Sequence, residues 1–302
     1  MKLQVCHLTH YTYQEAVAES VNEIRLTPRT DDRQTCHSHS ITIEPEVTLF
    51  QYEDYFGNTA HYFSVPFPHS QLSIKSCSIM ETDEEENPET NRIPYAVERE
   101  ILNEEKFQNE YAEYLIETDY TRISAELKHF KNITIDEDQA GSIYQLLETI
   151  SHAIHTNFTY DANATQVSTT VEETLRLKRG VCQDYVHLMI ALCRMLHIPA
   201  RYVSGYQFLG DLNADDPIFQ HASHAWVEAY VPLIGWLGFD PTSNGKINWR
   251  YVTLGKGRDY SDIVPVKGIY QGTNIQRLEV VVDIERIDGG HSARNEVSPC
   301  HK

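Results

Sequence analysis

Residues 176–206 read RLKRGVCQDYVHLMIALCRMLHIPARYVSGY, and they carry the clearest structural signal in this chain of 302 residues. Gly180 permits a turn, and the apolar residues after it recur at the three- and four-residue steps of a buried helix face: Val186, Met189, Cys193 and Leu196. The residue before a proline avoids helical backbone angles, so Pro199 marks the end of this helix. We therefore predict a helix from Cys182 to about His197, followed by a strand.

Cys182 falls within the first turn of the predicted helix. The backbone N–H groups of a first turn have no partner inside the helix, and the positive end of the helix dipole lies beside them. Both effects favour a thiolate over a thiol, and the same N–H groups can stabilise an oxyanion when a carbonyl is attacked. Taken alone, the segment leaves open that Cys182 is a small buried hydrophobe, as we expect for Cys193, because most cysteines are inert.

Residues 221–244 read HASHAWVEAYVPLIGWLGFDPTSN and predict two strands joined by a turn around Pro232–Gly235. His224 begins the first strand and Asp240 ends the second, so an antiparallel pair brings both to one end of the hairpin. A carboxylate there would hold the imidazole in one tautomer and stabilise its charged form. The imidazole could then take the thiol proton of Cys182. A structural histidine and a turn cap are the alternatives for each residue alone, and the chain order Cys, His, Asp favours catalysis.

The first part of the chain, residues 1–80, shows strand patterns and no helical period. Apolar residues alternate with polar neighbours at three places: Leu3 and Val5, Ile41 and Ile43, and Leu72 and Ile74. Gly57-Asn58 lies between two aromatic-rich runs and predicts a hairpin. We therefore expect an N-terminal antiparallel, sandwich-like β domain.

The rest of the chain predicts an acidic linker over residues 81–99, a catalytic domain over 100–288 and a disordered tail over 289–302. Residues 81–94 read ETDEEENPETNRIP, a composition that fits a linker or a long surface loop. A helix face is marked by Tyr144, Leu146, Leu147, Ile150 and Ile154. The fold class is therefore α+β: an N-terminal antiparallel β domain, followed by a helix packed on an antiparallel sheet.

The charge balance and the cysteines limit the partners and the location. Lys and Arg total 25 against 44 Asp and Glu, a formal net charge of -19 at pH 7. Such a surface repels phosphate backbones and anionic lipid, which argues against nucleic acid or a membrane as partner. No N-terminal run resembles a signal peptide, and no stretch has the about 18 consecutive apolar residues of a membrane span. The six scattered cysteines are therefore expected to be reduced thiols of a cytoplasmic protein.

Cysteine and histidine neighbours near the N-terminus offer a metal site as an alternative: Cys6-His7, His10, Cys36-His37 and His39. Strand alternation places the members of each cluster on opposite faces, and no spacing matches a zinc module. The segment LGKGRDY contains GxG without a phosphate-loop pattern. We therefore expect no metal and no other cofactor.

Four blocks of the chain resemble the core motifs of bacterial transglutaminase-like proteins, which are related in architecture to papain-type cysteine peptidases: GVCQDYVHL, PARYVSGY, SHAWVEAYVP and GWLGFDPT. HYTYQEAV, NEIRLTPR and DYFGN resemble the β-rich N-terminal region of these proteins, and LGKGRDYSDIVPVKGIYQG resembles their C-terminal strands, so nearly the whole chain is covered. The resemblance implies a catalytic triad with Cys182 as the nucleophile, His224 as the base and Asp240 as the orienting acid.

The implied activity is attack of the Cys182 thiolate on an amide carbonyl of a peptide or protein substrate, with water or an amine resolving the thioester. Eukaryotic transglutaminases carry a tryptophan after the nucleophile, and this chain has Gln183 there. The difference favours hydrolysis of a peptide or isopeptide bond over crosslinking. Amine transfer, a non-enzymatic scaffold of the same fold and a metal-dependent hydrolase remain the alternatives, and the oligomeric state is not predicted.

Overall fold

The computed structural model describes residues 1–83, 93–210, 223–272 and 274–287, which form a β sandwich beside a core of helices and sheet. The first part of the chain supplies these strands of the sandwich: β1 (Lys2–Val17), β2 (Glu19–Ile24), β3 (Gln34–Glu44), β4 (Phe50–Glu53), β5 (Thr59–Val65) and β6 (His69–Thr82). Both sheets bury one face in a shared apolar interior, so the predicted N-terminal β domain is present.

The alternating residues behave as the sequence predicts, because successive side chains of a strand point to opposite faces. Leu3, Val5, Leu72 and Ile74 are buried in the sandwich. The predicted hairpin joins β4 to β5, and Gly57 in its turn has a φ of 72°, a conformation that favours glycine.

The last two strands complete the sandwich rather than the core. β14 (Val266–Gln271) pairs antiparallel with β2, and β15 (Ile275–Arg286) pairs antiparallel with β1. The sheets have the orders β15-β1-β6-β3 and β14-β2-β5-β4. The prediction of one catalytic unit over residues 100–288 is therefore wrong for these strands, because a strand pattern does not reveal the partner strand.

The helices follow the sandwich strands in the chain: α1 (Tyr95–Asn103), α2 (Glu105–Glu110), α3 (Ala125–Thr134), α4 (Ile143–Asn157), α5 (Val171–Leu177) and α6 (Cys182–Met195). The predicted linker over residues 81–99 is too long at both ends, since β6 runs to Thr82 and α1 begins at Tyr95. Residues 84–92 and the predicted tail, 289–302, lie outside the described residues.

The core is an antiparallel sheet of order β12-β11-β10-β9-β13 with α4 and α6 packed on one face. Its strands are β9 (Ala200–Gln207), β10 (Ser223–Val231), β11 (Gly235–Asp240), β12 (Gly245–Lys246) and β13 (Tyr251–Gly257). A short parallel pair, β7 (Thr159–Tyr160) with β8 (Arg179–Gly180), leads into α6. This arrangement confirms the predicted α+β fold, and the predicted α6 and hairpin strands are present.

Two amide side chains of the sandwich bind the outer edge of β13. Gln34 Nε2 donates to the carbonyl oxygen of Thr253 (2.9 Å), and the Thr253 N–H donates to Gln34 Oε1 (2.7 Å). Asn58 repeats the pattern at Lys256, with N···O distances of 2.8 and 2.9 Å. The side chains thus satisfy backbone groups that an edge strand leaves unpaired, and they join the two parts of the molecule.

The cysteines depart from the sequence-based expectation. Cys6 on β1 lies opposite Cys77 on β6, and the two form a disulfide, while Cys36, Cys182 and Cys193 are free. The expectation of reduced thiols is therefore wrong for Cys6 and Cys77, and the cysteine argument for a cytoplasmic location fails with it. In the described part of the chain, no helix has the length and apolar character to cross a bilayer.

Candidate active site

The first turn of α6 holds Cys182 at the surface and a capping carboxylate beneath it. The Val181 N–H donates to Asp184 Oδ2 (2.8 Å), and Thr165 Oγ1 donates to the same oxygen (2.7 Å). Burial raises the pKa of Asp184, and these two hydrogen bonds oppose that rise. Asp184 therefore caps the N-terminus of α6. The cap fixes the first turn of the helix, which begins at Cys182.

His224 and Asp240 meet where β10 begins and β11 ends. His224 Nε2 donates to Asp240 Oδ2 at 2.8 Å, and both side chains are buried. Burial lowers the pKa of the imidazole, but the charge and hydrogen bond of Asp240 outweigh it and, with the hydrogen bond that the imidazole donates to Cys182, raise the pKa of His224 to about 10. The imidazole is therefore held as a cation at neutral pH.

Asp240 is surrounded by donors. Tyr251 Oη (2.9 Å) and Ser243 Oγ (2.6 Å) donate to Oδ2, and the backbone N–H of Thr242 donates to Oδ1 (2.9 Å). Burial raises the pKa of this carboxyl, while the charge of His224 and the hydrogen bonds lower it to about 2. The carboxylate therefore stays ionised across the physiological range.

Cys182 lies within hydrogen-bond reach of the His224 imidazole. Because Nε2 is bonded to Asp240, the Nδ1 atom is left to face the thiol. Cys182 is partly exposed, whereas Cys193 is fully buried and burial raises its pKa to about 12. The three residues singled out in the sequence thus form one row, Cys182–His224–Asp240, which we call the thiol–imidazole–carboxylate row.

Tyr160 is a residue of the site that the sequence analysis missed. It pairs with Gly180, two residues before Cys182, and the Asp161 N–H donates to the Gly180 carbonyl oxygen (3.0 Å). Burial raises the pKa of the phenol, and the nearby charges of Cys182, Asp184 and Asp240 raise it further. Its hydroxyl therefore stays protonated and can donate a hydrogen bond. A two-residue strand has no periodicity, so only the β7–β8 pairing reveals it.

The Gln183 side chain contacts a neighbouring loop. Its Nε2 donates to the Val167 carbonyl oxygen (2.8 Å), and the side chain is buried. Thr165 of the same loop bonds Asp184, so two contacts tie residues 161–170 to the first turn of α6. Gln183 therefore positions the loop beside Cys182.

The N-terminal cysteine and histidine neighbours do not converge. Cys6 is in the disulfide, whereas His7 lies inside the sandwich, where Nδ1 bonds Tyr206 Oη (2.8 Å) and Nε2 bonds Thr9 Oγ1 (3.0 Å). His37 pairs with Glu81 at the surface. In residues 1–83, 93–210, 223–272 and 274–287, no three His, Cys, Asp or Glu residues are grouped to hold a metal ion.

Known proteins resemble this chain over nearly all of its length. An uncharacterised protein of Mycobacterium leprae is 32% identical over 287 residues, covering 95% of this chain and 99% of that protein. A crystal structure from Cytophaga hutchinsonii, described as a "putative cysteine protease", superposes with a TM-score of 0.75 at 20% identity, covering 98% of this chain and 95% of that one. At that identity the likeness shows the fold.

Two further similarities are regional. A protein-glutamine gamma-glutamyltransferase of Pseudomonas aeruginosa is 43% identical over 68 residues, 22% of this chain and 10% of that protein. Residues 3–81 match the bacterial transglutaminase-like N-terminal region, and residues 131–241 match the core of the transglutaminase-like superfamily. The chain belongs to the transglutaminase-like superfamily and carries its bacterial N-terminal region ahead of the core.

Proposed function

We propose that this chain is a cysteine-dependent hydrolase that cleaves an amide bond of a peptide or isopeptide through a thioester. The observation that carries the proposal is the thiol–imidazole–carboxylate row at the N-terminus of α6. The row places an imidazole that can accept and return a proton beside a thiol at a helix N-terminus, and the thiolate is the attacking form of cysteine. In this proposal Cys182 is the nucleophile, His224 the acid and base, and Asp240 the group that orients and charges the imidazole.

The reaction begins when Cys182 Sγ forms a bond to the amide carbon and the carbonyl electron pair moves onto oxygen. The Cys182 N–H and the Tyr160 hydroxyl would donate to this oxyanion. His224 gives its proton to the amide nitrogen as the carbon–nitrogen bond breaks, which leaves a thioester and an amine. Water then attacks the thioester, His224 takes the proton of that water, and the acid and the free thiolate are released.

Gln183 favours hydrolysis over amine transfer, because it stands where the eukaryotic crosslinking enzymes have a tryptophan. Its side chain instead holds the loop of residues 161–170. Efficient transfer needs a site that excludes water at about 55 M while admitting an amine, and in the described residues nothing marks a second amine site. The specific observation for the alternative is the similarity to a Pseudomonas aeruginosa protein named as a gamma-glutamyltransferase. Both reactions share the thioester and differ in what resolves it.

The decisive experiment incubates the purified full-length protein with a library of peptides and isopeptides, with and without a labelled primary amine. We expect hydrolysis to exceed amine incorporation at millimolar amine. Cys182→Ala should abolish turnover, and Asp240→Asn should reduce it strongly, since the comparable change in a serine triad costs about 10⁴ in turnover. Cys36→Ala, which removes another free thiol, is the matched control.

Three results would count against the proposal. Near wild-type turnover in correctly folded Asp240→Asn would remove Asp240 from the mechanism, and dominant amine incorporation would establish transfer instead. If no substrate is turned over, brief iodoacetamide treatment separates an inert scaffold from an enzyme with an untested substrate. Cys182 should then be alkylated well before Cys36 and Cys193, whose pKa values burial raises, and equal or slower labelling would indicate a scaffold.

A further inference from the structure

β15 is a long edge strand with apolar side chains on both faces. Within the described residues it pairs with β1 alone, so its other edge presents backbone groups without a strand partner along Ile275–Glu285. The exposed fractions of Leu278, Val280 and Val281 are 51%, 52% and 56%. Edge strands usually carry lysine, proline or a bulge that prevents pairing with another chain. β15 has a register shift at Gln276, near its start, but residues 277–286 pair with β1 in regular register and contain neither lysine nor proline. From Arg277 onward, β15 is thus an open site for strand addition.

The two faces of β15 differ in character. Val280 and Val282 lie opposite Thr9 and His7 of β1, on the side of the sheet that faces the sandwich interior. Arg277 and Asp283 lie on the outer side, three positions before and after Val280. A strand that pairs with this edge must therefore offer apolar residues on one face and complementary charges on the other.

β15 itself meets both requirements when a second copy lies antiparallel with the two Val280 residues opposite each other. Leu278 of one copy then faces Val282 of the other, and Arg277 faces Asp283, each twice. No like charges are directly opposed in this register. Shifting the centre to Val281 would place Arg277 opposite Glu285, but it would also place Glu279 opposite Asp283, a repulsive pair. The register centred on Val280 has the attractive pair without the repulsive one, so charge favours it.

We propose that this protein forms a homodimer through antiparallel pairing of β15 with β15 of a second copy, centred on Val280. The pairing joins two four-stranded sheets into one continuous sheet. It satisfies the open backbone groups and covers the row Leu278, Val280 and Val282. The chain's own following segment, residues 288–302, fits the edge less well, because it contains a single branched aliphatic residue, Val297.

Sedimentation equilibrium of the full-length protein tests the proposal, at 0.15 M salt or above so that repulsion between copies with a net charge of -19 is screened. We expect a dimer whose dissociation constant rises about tenfold or more in Arg277→Asp and in Asp283→Arg, since each change opposes like charges twice. The double variant Arg277→Asp/Asp283→Arg restores opposite charges and should return within about threefold of the wild type. Arg122→Asp makes the same charge change at an exposed site before α3 and should have no effect.

A monomeric wild type at 100 µM would overturn the proposal, as would a dimer that is unchanged in the single variants or is not restored in the double variant. Circular dichroism and thermal unfolding of each variant show that the fold is retained. Hydrogen exchange identifies the occupant of the edge. Protection of the β15 amides that increases with protein concentration supports the dimer, and protection independent of concentration, as the chain's own segment would give, overturns it.

Discussion

At the scale of single residues, the site depends on how Asp240 is solvated. A buried carboxylate is costly unless donors replace its water, and here His224, Ser243 and Tyr251 all donate to one oxygen. Asp240 therefore stays ionised and in turn keeps His224 charged. Tyr251 is itself held in place, because Gln207 Nε2 donates to its Oη (2.9 Å).

Tyr251→Phe removes one donor from Asp240 and keeps the ring. We expect turnover to fall about tenfold or more, because a hydrogen bond to a charged group contributes about 1.5–3 kcal/mol. Because the hydrogen bond from Tyr251 helps lower the pKa of Asp240, its loss raises that pKa, and the acid limb of the activity profile should move to higher pH. The measurement is kcat/KM against pH with whichever substrate the peptide screen identifies.

The matched control for this change is Tyr206→Phe. Tyr206 is also a buried tyrosine of the core sheet, but its hydroxyl bonds His7 rather than Asp240. An unchanged acid limb in Tyr251→Phe, or the same shift in both variants, would show that Tyr251 contributes packing alone.

The site residues fall into two groups: those that the neighbouring sequence marks, and those that only the pairing of distant strands brings to the site. Cys182, His224 and Asp240 could be predicted because each lies at the end of a helix or strand with a strong pattern of its own. Tyr251 and Tyr160 could not, because each reaches the site through pairing with a strand distant in sequence: β13 with β9, and β7 with β8. Local periodicity carries no information about such pairings.

At the scale of helices and strands, the same difference between local patterns and distant pairing explains which parts of the fold the sequence predicts. The five residues predicted to line one face of α4 are buried, because an amphipathic period is a local property: Tyr144, Leu146, Leu147, Ile150 and Ile154. β14 and β15 lie within residues 100–288, the range that the sequence predicts as one catalytic unit, since neighbours in sequence are the default partners. The contacts of Gln34 and Asn58 with β13 were equally hidden, because they are made by single side chains.

Asn58→Asp tests how much the contact with β13 contributes. The change keeps the shape of the side chain but replaces the Nδ2 donor with an oxygen that faces the Lys256 carbonyl and the Asp54 carboxylate. Since the side chain is buried, we expect the free energy of unfolding to fall by about 2–3 kcal/mol. Urea unfolding at pH 7 measures the change.

Asn163→Asp is the control for Asn58→Asp, because it makes the same change at an exposed position and should alter stability by less than about 0.5 kcal/mol. If the two variants are equally stable, the Nδ2 donor of Asn58 does not contribute to the free energy of unfolding.

At the scale of the whole molecule, the sandwich buries histidine side chains, and burial favours their neutral form. Burial lowers the pKa of His7 to about 4, and it lowers the pKa of His39 and His61 in the same interior. The unfolded chain therefore binds more protons than the folded chain below about pH 6.5. The stabilisation that these groups give is present above pH 6.5 and is lost as the pH falls toward 4.

For His7 the loss between pH 6.5 and 4 amounts to about 3 kcal/mol, from about 1.4 kcal/mol for each unit of the pKa difference. His7→Gln cannot titrate, so the free energy of unfolding of this variant should depend less on pH over that interval. Urea unfolding of both proteins from pH 7 to 4 gives the comparison, and the contributions of the carboxylates cancel in the difference. Parallel curves would mean that His7 is not neutral in the folded protein.

The pairing of β1 with β15 also constrains how the chain is made. Leu3 lies opposite Arg286, so the sheet that holds β1 is completed only when β15, which follows the whole helical core in the chain, has been made. Contacts between such distant residues close slowly, because the chain entropy of a long loop must be overcome first. During synthesis the outer edge of β1 is open, and a nascent chain with an open edge can pair with its neighbours on the same message. Completion of the amino-terminal sheet therefore depends on the synthesis of β15.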